Sequence, residues 1–263
     1  MTVLGTSYRL GSTSYVWPAG LASNARRLGP LVDDVELVLF QVDGFSNLPG
    51  RRTVAALREL AGRHDLTYSV HLPLDLALAE PESLRLAATV LDRTRDLLPA
   101  AVVLHLDGRA VEGRPGEAAL ARWRDDARRI LDRVVALVGD AGRACVENLE
   151  NYPPEHFFPI LDETGAGLCV DVGHLWLVGR DPLPFLAEHL ARIRVVHLHG
   201  VGSRDHESLR HQDAGQVAAV LDLLAARGYD GVLTLEVFGR DDFMASRAMV
   251  VEILAANAAH QHP

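Results

Sequence analysis

Apolar residues along the 263-residue chain come in two alternating kinds of run. Short, β-branched runs such as YSVH, VVLHL, CVE, CVD, VVHLH and TLEV alternate with longer stretches in which apolar positions recur every three or four residues. The short runs predict strands near 8–13, 35–41, 66–71, 101–106, 143–147, 167–171, 193–199 and 231–237. Helices are predicted near 20–28, 51–63, 82–98, 116–138, 154–164, 183–191, 213–227 and 241–257. Eight strand–helix pairs predict an α/β fold, a single (β/α)8 TIM barrel with a parallel sheet wrapped in helices.

The predicted helices carry their own support. Leu120, Trp123, Ala127, Ile130, Val134 and Val138 form one apolar stripe, while Arg122, Arg124, Asp125, Asp126, Arg128 and Arg129 fill the remaining faces. Val217, Val220, Leu221 and Leu224 repeat that stripe, and Gly228 stands where a C-terminal cap is expected. Trp123 is therefore expected in the core. No Pro/Gly/Ser-rich linker divides the chain, which reads as one domain over 1–263 with 255–263 fraying and His260 and His262 as solvated tail residues.

Composition narrows the function. A hydrophobic content of 48% supports one large core, and 26 Lys plus Arg against 35 Asp plus Glu give a net charge of −9. That sign disfavours an extended nucleic-acid footprint, which would neutralise many phosphates with basic side chains. The first twenty residues show no secretory signal, and no apolar run reaches membrane-span length, so a cytoplasmic protein with no membrane partner is expected. Cys145 and Cys169 each precede a carboxylate by two residues, share its strand face, and read as small inward fillers of a reduced core.

The chemistry sits at the ends of the strands. In a parallel barrel all strand C-termini meet at one mouth, so His71, His105, Glu147, Asp171, Glu236 and a histidine of the seventh strand become neighbours there. His71, His105 and Glu147 make a three-ligand shell with an open position. Glu147, Asp171, Glu236 and either His197 or His199 can enclose a second ion, with Glu147 spanning the two at the roughly 3.5–4 Å separation used for displacement at phosphorus. His197 and His199 share a face, and the pattern leaves open which of them ligates. His174, in what reads as a loop after Asp171, and His206, perhaps with Asp205, are candidates for a third ion or for hydrogen bonds to substrate. Two or three divalent ions are expected, zinc first, with manganese, cobalt or iron as alternatives. Glu147, Glu236 and His174 are the expected catalytic groups. Tyr15, Trp17 and Trp176 follow strands and are candidates to stack on substrate, with Asn148 and Arg204 as further contacts and Glu150 and Asn151 as loop or outer partners.

The segment CVDVGHLWLVGRDP resembles the superfamily that joins endonuclease IV type apurinic-site nucleases to xylose-isomerase-like barrels, over essentially the whole chain. The trinuclear zinc nucleases place ligands in an order that His71, His105, Glu147, Asp171, His174, His197, His206 and Glu236 follow. One departure is plain: the nucleases carry Asp-x-His in the loop after strand seven, and the position two before His206 is Arg204, with Asp205 displaced by one. Sugar isomerases and epimerases of the same superfamily need only the equivalents of Glu147, Asp171, the strand-seven histidine and Glu236. The stretches RLGSTSYVWP, NARRLGPLVDDVELVLF, LRELAGRHDLTYSVHLPLDL and VVLHLDG resemble the cobamide-remodelling phosphodiesterases. That resemblance implies metal-dependent hydrolysis of the nucleotide-loop phosphodiester of a corrinoid, a small phosphodiester substrate consistent with the acidic charge. A sugar isomerase or epimerase is the alternative, and an apurinic-site endonuclease a weaker one.

Overall fold

The computed structural model describes residues 2–42, 45–73 and 81–261. The first half runs β1 (Arg9–Thr13), α1 (Leu21–Leu28), β2 (Asp34–Val38), β3 (Gln41–Val42), β4 (Phe45–Ser46), α2 (Arg51–His64), β5 (Thr67–His71), α3 (Pro81–Thr94) and β6 (Val102–Leu104). It continues through α4 (Glu117–Val138), β7 (Ala144–Glu147), α5 (Phe158–Thr164), β8 (Gly167–Asp171), α6 (Val172–Leu177), α7 (Pro182–His189), β9 (Ile193–Leu198), α8 (Ala214–Ala226), β10 (Val232–Leu235) and α9 (Arg240–Gln261). Eight parallel strands close a barrel in the order β1-β10-β9-β8-β7-β6-β5-β2, and β3 pairs with β4 as a short antiparallel hairpin. The chain thus has the predicted α/β barrel, with every predicted strand present. Leu74, Asp75 and Leu76 of the HLPLDL stretch, and His262, lie outside the described residues.

Closure follows from strand composition. Almost every strand residue is buried, because helices cover the outer face while side chains fill the lumen. Between the strands and the helices that cover them, mostly Leu and Val side chains form the main core, which includes Trp123 as its helical stripe predicts. Inside, Ala101, Val103, Cys145, Cys169 and Val195 form a small second cluster below the mouth. Both cysteines are buried and free, and burial pushes the Cys145 thiol up to about 12, so they fill space there.

Three local differences from the sequence reading have identifiable causes. The second strand stops at Val38 and not near 41, because the Asn47 side chain accepts from the Phe40 amide (2.8 Å) and donates to the Val38 carbonyl (2.7 Å), taking over the ladder. Residues 172–177 form a short helix where a loop is expected. Asp171 caps it, its Oδ1 accepting from the His174 amide at 2.6 Å. The last helix continues to Gln261, past the predicted end near 257. No helix among the described residues is long and apolar enough to cross a membrane.

Beneath the mouth, Asp34 is fully buried; burial raises its carboxyl pKa to about 6 although Ser69 and Thr67 donate to it at 2.6 Å each. A carboxyl whose folded pKa exceeds its unfolded value favours the fold at low pH and loses that contribution as pH rises through the folded value. Stability should therefore fall by up to about 3 kcal/mol between roughly pH 4 and pH 7 on account of this group, at 1.36 kcal/mol per pKa unit. Asp34→Asn should remove that part of the slope in urea denaturation across the same pH range, and an unchanged slope would contradict the assignment.

Candidate metal centre

Glu147 ends β7 with both oxygens inside the mouth. Its Oε2 lies 3.1 Å from His71 Nε2 and 3.0 Å from His105 Nε2, while Oε1 lies 3.2 Å from His197 Nδ1. One carboxylate thus faces two groups of side chains. His71, His105 and Glu147 form the first, with ligand atoms all within 4.8 Å of one another; Glu147, Asp171, His197 and Glu236 form the second under the same limit. Parallel register sets the second group, because Asp171 of β8 and His197 of β9 are Cα partners. Of the two strand-seven histidines, His197 joins this group. His199 lies instead with Asp171, His174 and His206.

The ring nitrogens are turned in a consistent way. His71 Nδ1 faces the Leu72 carbonyl at 2.8 Å, which places its proton there and leaves Nε2 toward Glu147. His197 is turned the other way round: Nε2 lies 3.0 Å from Glu36 Oε2, leaving Nδ1 toward Glu147 and Glu236. Glu36 belongs to β2, is fully buried, and lies outside the set expected from sequence. Its signal is the alternation in VDDVELV, which puts Asp34 and Glu36 on one inward face among apolar neighbours. Its place two residues inside the strand end keeps it out of a pattern built on terminal positions.

The donors fit divalent cations. Asp171 Oδ2, Glu236 Oε2 and Glu36 Oε1 are buried with no hydrogen-bond partner, although Glu236 Oε2 is 3.0 Å from His197 Nδ1. Convergence of buried carboxylate oxygens and ring nitrogens on one point is how ligands gather around an ion. Without an ion the rings take up the balancing role. Burial lowers the pKa of His71, His174 and His197, but the surrounding carboxylates more than reverse it and all three are raised. Burial likewise pushes Glu147 and Asp171 up, yet neighbouring imidazoles hold both below the usual carboxylate range.

Several expected contacts are placed elsewhere. The Asn148 side chain binds the Asp171 backbone through both amide atoms, at 2.9 Å to its N–H and 2.9 Å to its carbonyl, so it ties the end of β7 to β8. Trp17 packs edge-on against Phe243 with Arg27 over its ring, covering the first loop. Trp176 lines an outer groove with Arg180, Asp181 and Gln216, because residues 172–177 wind into a helix that carries it off the mouth. Arg204 is 71% exposed and faces Glu207, and Asn151 pairs with Glu112 in the loop. Glu150 Oε2 stands 3.8 Å from His174 Nε2. Tyr15 does reach the mouth, lining a cavity of about 570 Å³ with Val38, Leu39, Phe40, Leu72 and Phe238 above His71, His105, His206 and Glu236.

Fold and cluster together define a TIM barrel with a candidate metal centre at the C-terminal ends of its strands. Residues 23–258 match the family described as Xylose isomerase-like TIM barrel, and the chain belongs to that family. It is similar to a D-tagatose 3-epimerase-like protein at 21% identity and TM-score 0.74, covering 94% of this chain and 97% of that one. It is similar to endonuclease IV from Thermus thermophilus at 21% identity and TM-score 0.67, covering 93% and 99%. A third match is the TTHB071 protein, also of Thermus thermophilus, from a crystal soaked in zinc chloride, at 26% identity and TM-score 0.63 over 95% and 98% of the two chains. The fold is thus shared by epimerases and an endonuclease, and the side chains at the mouth must separate these chemistries.

Glu36→Gln should loosen metal binding at the His197 set by about 10–100-fold, the usual cost of losing a carboxylate that orients a ligating imidazole. Competitive chelator titration of the purified chain measures this, and an unaltered affinity would remove Glu36 from that role.

Proposed function

We propose that the chain is a cytoplasmic, metal-dependent phosphodiesterase that hydrolyses the nucleotide-loop phosphodiester of cobamides. The observation that carries this reading is the shared carboxylate: Glu147 faces His71 and His105 with one oxygen and His197 with the other, so two ligand sets adjoin. The resemblance implies that the superfamily's sugar epimerases need only the set around His197, whereas a pair of adjoining ions is an arrangement that serves in-line displacement at phosphorus. Divalent ions, zinc first, would lower the pKa of bound water toward 7 and offset charge on the phosphoryl oxygens.

The side chains supply the remaining functions. Glu147 holds the two sets in fixed relation. Glu236, a member of the set around His197, would accept a proton from the attacking water. His174, whose Nδ1 lies 3.7 Å from Asp171 Oδ2, would offset charge on the leaving oxygen. The described cavity walls are largely apolar, with Tyr15 and Phe238 half-exposed at the rim. Such walls suit a substrate with a broad planar or apolar body attached to its phosphodiester, and they offer few partners to the hydroxyls of a free sugar. The net charge of −9 supports a small substrate over a nucleic-acid duplex.

One observation favours sugar epimerisation: Glu147 and Glu236 both approach His197 Nδ1, at 3.2 and 3.0 Å, as two carboxylates sharing acid/base work around one ion would. Incubating metal-replete protein with a cobamide, followed by mass analysis, separates the readings. A corrinoid that has lost its nucleotide is the expected product. Intact cobamide together with epimerised ketose would overturn the proposal. Glu147→Gln should lower phosphodiester turnover by more than about 100-fold, beyond the usual cost of losing an outer partner.

A further inference from the structure

We propose that Glu207 is a positioning residue of the mouth: its carboxylate clasps Ser203, closes the loop after β9 upon itself, and so holds the His206 ring against the cavity. The clasp stands on geometry alone. What the held ring contributes to turnover rests on the phosphodiesterase reading.

The loop is fixed at both ends and tied across its base. Leu198 ends β9, and on the far side Leu209 is fully buried, its amide donating to Ser246 Oγ at 3.0 Å. Between them Gly200 and Glu207 exchange backbone hydrogen bonds, at 2.8 Å from the Gly200 amide and 3.1 Å from the Glu207 amide. Residues 201–206 thus form a closed turn. A turn of this kind lies outside the strand ladder, so its own side chains must define its shape.

Glu207 supplies the bonds that do. Its Oε1 accepts from the Ser203 hydroxyl at 2.7 Å and its Oε2 from the Ser203 amide at 3.3 Å. Arg204 Nε at 3.5 Å and His211 Nε2 at 3.6 Å approach the same carboxylate. The Ser203 hydroxyl holds this carboxyl below its usual range, which keeps it ionised. The Glu207 side chain is 12% exposed, against 38% for Asp205, so the carboxylate drawn into the loop is the one after His206. Gly202 leaves room for the clasp, since a Cβ there would collide with Glu207 Oε2.

His206 is where the closed loop meets the mouth. Its backbone is left-handed, with φ 52°, a conformation that a residue with a side chain keeps only where its surroundings fix it. Its amide donates to His199 Nδ1 at 3.0 Å, and its own Nδ1 faces the Glu236 carbonyl at 3.2 Å. From there the ring lines the mouth cavity beside Phe238, whose ring stands edge-on at 5.3 Å. Glu207 is the next residue in the chain, so the clasp bears directly on this turn. Opening it would let residue 206 relax and the ring leave the cavity wall. On the phosphodiesterase reading, an imidazole fixed at that wall would meet the charge that develops on the phosphoryl oxygens.

The test compares the full chain with its Glu207→Ala variant. A nuclear Overhauser contact between the His206 and Phe238 rings reports where the ring sits and needs no substrate. Wild type should show this contact and Glu207→Ala should lose it, with the circular dichroism of the barrel unchanged. A contact retained in Glu207→Ala would overturn the proposal. Gly202→Ala and Ser203→Ala disturb the clasp without altering Glu207, and both should weaken the contact. They decide the matter should Glu207→Ala not fold, and full retention in both would count against the clasp. In metal-replete protein, Glu207→Ala should lower kcat for cobamide cleavage by about 10–100-fold with KM kept, the usual effect of losing an outer orienting group. Glu207→Gln, which still accepts from the Ser203 hydroxyl, should recover most of that loss. A wild type that holds the ring contact yet leaves cobamide intact would defeat only the functional reading. Cleavage that persists undiminished after the contact is lost would defeat only the positioning role.

Discussion

The structure depends on enclosing four carboxylates, Glu36, Glu147, Asp171 and Glu236, in the low-dielectric mouth of a barrel. Isolated burial of one such charge costs several kcal/mol, and the strand ladder offers nothing to offset it. What offsets it is a shell of imidazoles delivered by β5, β6, β9, α6 and the loop after β9. Asp34 and Asp171 show that the neighbours, and not burial, decide the outcome. Both are fully buried, yet Asp34, with only hydroxyl and amide donors, rises to about 6, while Asp171, facing His174 and His199, falls below the usual range. Of these two buried carboxylates, the one that faces imidazoles is the one held in its ionised form. Protonated rings can serve that purpose, and a divalent ion serves it without occupying the ring nitrogens with protons.

Most of the fold and much of the site were legible because both depend on periodicity. Eight β-branched runs and the helical stripes between them specify a parallel barrel, and in that topology the last residue of every strand faces one mouth. Hence His71, His105, Glu147, Asp171 and Glu236 could be placed together from spacing alone. What was not legible depended on side-chain contacts that a hydrophobic pattern does not record, one of them local and the others between segments distant in sequence. The turn of Trp176 away from the mouth follows from a cap that Asp171 forms with the His174 amide. Asn148 looks like a pocket residue until its amide is seen clasping the Asp171 backbone. The choice between His197 and His199 required the β8–β9 register and the space above Gly173, neither of which a single strand pattern records.

Likeness of fold says little about which reaction a xylose isomerase-like barrel performs, since the matching structures include both an epimerase-like protein and an endonuclease. The set around His197 is compatible with both chemistries. Beside it, His71 and His105 approach the other oxygen of Glu147, and His199 Nε2 lies 3.1 Å from Asp171 Oδ1. At phosphorus the charge spreads over the attacking, non-bridging and leaving oxygens. On the proposed phosphodiesterase reading, the His71, His105 and Glu147 set adjoining the set around His197 would meet charge distributed in that way.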